Sequence, residues 1–62
     1  MTPYLTKLFA ACSPEWQTAQ EIANAMGTRL PGPHITPALR RLERRGKLER
    51  DTAGTWDRWR VI

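Results

Sequence analysis

Two different apolar periods divide this chain. Leu5, Leu8, Phe9 and Cys12 recur at helical spacing and make one stripe. Thr2 before Pro3 is an N-cap followed by a first-position proline, so a helix is predicted over about residues 3–12. Pro14 ends it, because the residue before a proline is pushed out of helical geometry. Trp16 and Gln17 read as a short extended piece. The string TAQE, Thr18 to Glu21, is a capping box, in which the threonine hydroxyl and the glutamate each satisfy a free backbone amide. Ile22, Ala23 and Met26 follow as a buried stripe, and Gly27 is a C-terminal stop, giving a second helix over about 19–26. TRLPGPH then reads as a defined turn. A third helix over about 36–45 carries Ile35, Leu39 and Leu42 on its core side, with Ala38 beside them and Gly46 as its stop. Its start has two readings: Thr36 as cap with Pro37 at the first position, or a helical turn beginning at Pro33.

Beyond Gly46 the period drops to two. KLERD reads as a strand, TAGT as a turn and WDRWRVI as a second strand, so residues 47–62 are predicted to form a hairpin. Strand alternation puts Trp59 and Val61 inward with Leu48, and Arg58 and Arg60 on the opposite face. The expected fold class is α+β, mainly α: three helices and a C-terminal two-stranded hairpin in one domain of 62 residues. Hydrophobic residues at 40% and charged residues at 26% indicate a globular chain. A domain of this length buries only about 60% of its unfolded surface, so its stability is expected to be modest. One cysteine excludes an internal disulfide, and one cysteine with one histidine excludes a structural zinc site. Cys12 is read as a small core residue, and the fold as resting on apolar packing in a reducing compartment.

Charge adds a functional dimension. Residues 1–39 sum to zero, so the net charge of +4 lies in the last third. With the core stripe of the third helix set at zero and about 100° per residue, Arg40, Pro37, Arg44 and Arg41 fall at roughly 140°, 200°, 180° and 240°. The side facing away from the core is thus a guanidinium ridge that Glu43 cannot fully neutralise. Arginine rather than lysine suits phosphate oxygens and the guanine edge, which its planar fork meets with two donors. The alternative is a solvated face with local ion pairs such as Arg40 to Glu43.

The order helix, short helix, turn, basic helix, hairpin, carried by TAQEIANAMG…ITPALRRLERRGKLER…GTWDRWRV, resembles the winged helix-turn-helix domains of small bacterial and phage regulators. The resemblance spans about Pro3 to Ile62. Within that superfamily the chain is also similar to the Z-form nucleic-acid-binding domains of RNA-editing deaminases, through the Ile-x3-Leu-x2-Leu spacing, GKL, the Ala-Gly-Thr turn and a late tryptophan. It departs from them at their contact positions. Thr36 and Arg40 replace an asparagine and a tyrosine, and Trp56 and Asp57 replace two prolines, so the layout carries over and the Z-form specificity does not. The resemblance implies a third helix in the major groove of double-stranded DNA, with His34, Thr36, Pro37 and Arg40 nearest the bases and Arg41 and Arg44 on phosphates. It implies a wing that sets Lys47, Arg50, Thr55, Arg58 or Arg60 beside the backbone, and a backbone contact from Gln20 at the start of the second helix.

Other single residues have local readings. His34 fits a turn hydrogen bond as well as a base contact. Trp59 is expected in the core, Trp16 between the first two helices or beside the hairpin, and Trp56 either on a partner or over the helix stems. No catalytic constellation, metal-ligand cluster or phosphate loop is evident, so neither an enzyme nor a cofactor nor a small-molecule ligand is expected. No secretory signal or apolar run of membrane-spanning length is visible, and a cytoplasmic, nucleoid-associated monomer or weak dimer is expected. The leading expectation is a DNA-binding transcriptional regulator. The competing ones are a protein-interaction adaptor or antagonist on the same fold, and a non-specific DNA-binding part of a replication or recombination complex.

Overall fold

The computed structural model describes residues 2–29 and 31–62; Met1 and Leu30, the latter inside the TRLPGPH linker, lie outside the described residues. Helix α1 (Pro3–Ala11) is capped by the Thr2 hydroxyl, which accepts from the Leu5 amide at 3.2 Å. Strand β1 (Gln17–Thr18) leads directly into α2 (Ala19–Ala25). Both halves of the α2 capping box form: Thr18 Oγ1 accepts from the Glu21 amide, and Glu21 Oε1 accepts from the Thr18 amide. A 3-10 turn (Gly32–His34) then precedes α3 (Thr36–Arg44), and β2 (Leu48–Asp51) and β3 (Arg58–Val61) close the chain.

Helices α2 and α3 end in the same way. Gly27 and Gly46 take left-handed φ values of 75° and 74°, which cost a glycine little. At each end two amides then bond back, Gly27 to Asn24 and Thr28 to Ala23 after α2, and Gly46 to Glu43 and Lys47 to Leu42 after α3. These are the paired bonds that satisfy the last free carbonyls of a helix.

The sheet differs from the expected two-stranded hairpin. It has three antiparallel strands in the order β1-β3-β2, with Gln17 opposite Trp59 and Thr18 opposite Arg58. The extended piece anticipated at Trp16 and Gln17 therefore covers the free edge of β3, a protection that exposed strand edges need. The Val61 amide also donates to the Ser13 carbonyl at 2.8 Å, tying the last strand to the end of α1.

The start of α3 follows the second of the two anticipated forms, with a 3-10 helical turn over Gly32–His34 in place of one beginning at Pro33. Thr36 is not its cap. The cap is Ile35, which closes the 3-10 turn through its amide to the Gly32 carbonyl and supplies no side-chain capping bond. Thr36 is the first helical residue and Pro37 the second, and the Thr36 hydroxyl donates back to Gly32 O at 3.5 Å. The 3-10 turn already orients the chain, so a hydroxyl cap is unnecessary.

Nine residues make the core: Leu5, Leu8, Ile22, Ala23, Ile35, Leu39, Leu42, Leu48 and Trp59. Every layer contributes, and each fully buried aliphatic side chain adds about 1.5–3 kcal/mol. Phe9, Cys12 and Met26 pack against this core from its margin. The Cys12 thiol donates to the Leu8 carbonyl, and burial pushes its pKa up to about 11, so it stays a protonated thiol at neutral pH. No helix among the described residues is long and apolar enough to cross a membrane.

Candidate nucleic-acid interface

Leu39 and Leu42 are fully buried beneath α3, and this fixes its rotation. The opposite face then carries Pro37, Arg40, Arg41 and Arg44, all exposed, and Arg45 follows at the helix end. Thr36, Pro37, Arg40, Arg41 and Arg44 line a shallow groove of about 330 Å³. Arg41 and Arg44 occupy the last helical turn, where the helix dipole favours cations by about 0.3–1 kcal/mol each. That accounts for part of the arginine content. It does not account for Arg40, which sits earlier, or for the choice of arginine over lysine.

Ion pairing separates two groups of cations. Arg58 pairs with Asp51 at 2.5 Å, and Arg60 pairs with Glu49. Both are cross-strand partners in the β2–β3 register, so the pleat itself brings each pair together. Arg50 reaches Glu43 at 3.4 Å and Asp57 at 3.5 Å. Arg40 touches Glu43 only at 3.9 Å. Among the described residues, no acid lies within ion-pair distance of Arg41, Arg44, Arg45 or Lys47.

The sequence positions of these charges sharpen the contrast. Residues 48–62 hold three arginines and three acids, and residues 1–39 are also balanced. The whole net charge of +4 therefore sits in residues 40–47, five cations against Glu43. It is concentrated on one turn-and-a-half of helix and the corner that follows.

Trp16 organises the hairpin's outer face. The guanidinium of Arg60 lies 4.4 Å from the centre of its ring and that of Arg58 5.9 Å. Of the two placements anticipated for Trp16, the structure has the one beside the hairpin. Each of these arginines thus has an acid on one side and an indole on the other, a pair of contacts that holds it against the sheet. Trp59, on the inner face, is buried, and its indole N–H has no acceptor among the described residues.

The remaining candidate residues are dispersed around this frame. His34 is exposed at the end of the 3-10 turn, with its backbone amide donating to Pro31 O. Lys47 is exposed at the corner after α3, and Thr55 in the loop between β2 and β3. Gln20, assigned by resemblance to a backbone contact, uses its side chain inside the fold: Oε1 accepts from the Gly32 amide at 2.9 Å and Nε2 donates to Asn24. This bond clamps the start of α3 to α2 across twelve residues of sequence. Sequence reasoning missed the clamp and the seating of Arg58 and Arg60 on the Trp16 ring, though not the placement of Trp16 beside the hairpin. A polar residue on the outer face of a short helix, or a tryptophan between two structured segments, carries no local signal of its distant partner.

Comparison of the chain with protein-family profiles, with curated proteins and with solved structures returned no match.

Proposed function

We propose that this chain is a winged helix-turn-helix domain that binds double-stranded DNA, with α3 in the major groove, and acts as a small transcriptional regulator. The observation that carries this reading is the segregation of charge. Arg40, Arg41 and Arg44 stand on one outward face with Arg45 and Lys47 following at its end and a single acid nearby, while the hairpin arginines are matched by acids. An exposed helical stripe of guanidinium groups with net positive charge is complementary to a polyanionic groove. The element order α1, β1, α2, α3, β2, β3 and the three-stranded sheet suit that fold.

In this arrangement His34, Thr36, Pro37 and Arg40 lie toward the N-terminal half of α3 and meet base edges, Arg40 through its two-donor fork. Arg41, Arg44, Arg45 and Lys47 meet phosphates, and Thr55 lies at the wing tip beside the backbone. Arg50, Arg58 and Arg60 chiefly hold the wing rigid.

The test is a duplex titration, by fluorescence anisotropy, over a range of salt concentrations. Four phosphate-contacting cations predict a slope of log affinity against log salt between about −3 and −4, at roughly −0.9 per contact. Selection of bound duplexes from a random pool then identifies the base preference. Failure to bind any duplex at low salt rejects the reading.

A further inference from the structure

A second feature adjoins the arginine groove. A cleft of about 600 Å³ opens between the start of α2, the 3-10 turn and the β2–β3 loop. Its walls are mainly apolar, formed by Ala19, Pro33, Trp56 and Trp59, with Thr36 and Thr55 among its polar groups. Thr36 also lines the arginine groove, so the two depressions adjoin at this residue. Trp56 is 72% exposed, the most unusual placement of any aromatic residue here. Asp57 also lines the cleft, and its carboxylate is paired with the Arg50 guanidinium, which Glu43 shares.

We propose that this cleft receives one unpaired base of a DNA strand, stacked on the Trp56 indole, so that the protein favours a duplex with a splayed end over a blunt one. This inference rests on the duplex-binding reading above. The argument for the occupant is geometric. Inside a duplex each base face is covered by its neighbours, and only base edges reach the grooves. Within DNA, a flat, exposed indole beside an apolar cleft therefore finds a stacking partner in a base that has left the stack. The neighbouring ridge supplies what such a strand also needs, cations without acid partners to hold its phosphates. The cleft lies within the range of about 300–1,000 Å³ typical of sites for small planar ligands, large enough for one base. The Thr55 hydroxyl has no hydrogen-bond partner among the described residues and is free to meet a base edge.

The test uses the full chain and two DNAs of equal sequence, a blunt duplex and a fork whose first unpaired position carries 2-aminopurine. Stacking of one base on an aromatic ring predicts that the fork binds roughly 5- to 150-fold more tightly. The aminopurine emission should be quenched at saturation. Trp56→Ala should bring fork affinity down to that of the blunt duplex while leaving blunt-duplex affinity unchanged, and Trp56→Phe should retain the preference. Because Trp56 is exposed, neither change threatens the core. Equal affinity for both DNAs, or a preference that survives Trp56→Ala, overturns the inference while leaving blunt-duplex binding intact. Absence of binding to either DNA overturns both this inference and the reading beneath it.

Discussion

The outer face of α3 and the β2–β3 hairpin are both rich in arginine, and their electrostatics are opposite. On the helix, Arg41 and Arg44 have no acid within ion-pair distance among the described residues, and Arg40 has Glu43 at a marginal 3.9 Å. On the hairpin, every arginine is paired. The cause lies in the geometry of each element. A helix brings together residues three and four apart, and from Arg40 or Arg41 those positions hold Glu43 and further arginines. An antiparallel ladder brings together residues from two strands, and the register sets Glu49 against Arg60 and Asp51 against Arg58. Two arginine-containing segments of different geometry therefore produce one surface with net charge and one without. Arginine in the first region is available to a partner, and in the second it braces a small sheet that has little core of its own.

The largest effect that separates the two regions is on DNA affinity. Arg40→Ala combined with Arg44→Ala should cost about 1–3 kcal/mol for each residue that bonds a base, and less for one on phosphate. Because both side chains are exposed, the thermal unfolding midpoint should barely move. The matching hairpin change is Glu49→Gln with Arg60→Gln, which removes an ion pair at constant net charge. It should lower stability slightly and leave duplex affinity unchanged. Equal losses of affinity in the two double variants would erase the distinction between a binding surface and a braced one.

A smaller effect tests what positions the ridge. Gly32 is buried in the 3-10 turn, and a β-carbon there would lie 2.6 Å from the Gln20 backbone nitrogen and 2.9 Å from its α-carbon. Backbone cannot swing aside as a side chain tip can, so Gly32→Ala forces the turn away from α2. Overpacking of this kind costs about 1–3 kcal/mol. Urea unfolding should show that loss. Amide spectra should show shifts in α2 and the first turn of α3, with β2 and the middle of β3 unmoved. Shifts confined to the hairpin would mean that the sheet, and not the α2 clamp, holds the ridge in place.

The residues that sequence made legible are those whose signals are local. The Thr18 to Glu21 capping box, the glycine stops at 27 and 46, and the buried positions Leu39 and Leu42 each depend on neighbours within one or two turns. The rotation of α3, and with it the exposure of Arg40, Arg41 and Arg44, follows from that stripe. The features that escaped depend on partners distant in sequence. Strand β1 is two residues long and too short to alternate, and it exists because β3 offers an edge. The acid partners of Arg58 and Arg60 are set by hairpin register, which alternation alone does not fix. The cap of α3 fell to Ile35 because a 3-10 turn, itself clamped by Gln20, arrives already wound.

The smallest effect concerns the acid that neutralises Arg58. The Asp51 carboxylate accepts from the Ala53 amide at 2.9 Å and pairs with Arg58 at 2.5 Å. The Ala53 hydrogen bond first, and the Arg58 guanidinium second, hold its pKa below the ordinary carboxylate value. A carboxyl group whose pKa is lower in the folded than in the unfolded chain stabilises the fold above its unfolded pKa, and that contribution is lost as pH falls through the folded value. The window therefore lies below roughly pH 4. In that window Arg58 loses its counter-charge and the hairpin gains net positive charge. Asp51→Asn should be slightly less stable than the parent at neutral pH, and the gap should narrow as the solution is acidified below about pH 4. Urea midpoints measured from neutral pH downward give the comparison. A gap of constant size across that range would mean that Asp51 carries no folded-state preference for its charged form.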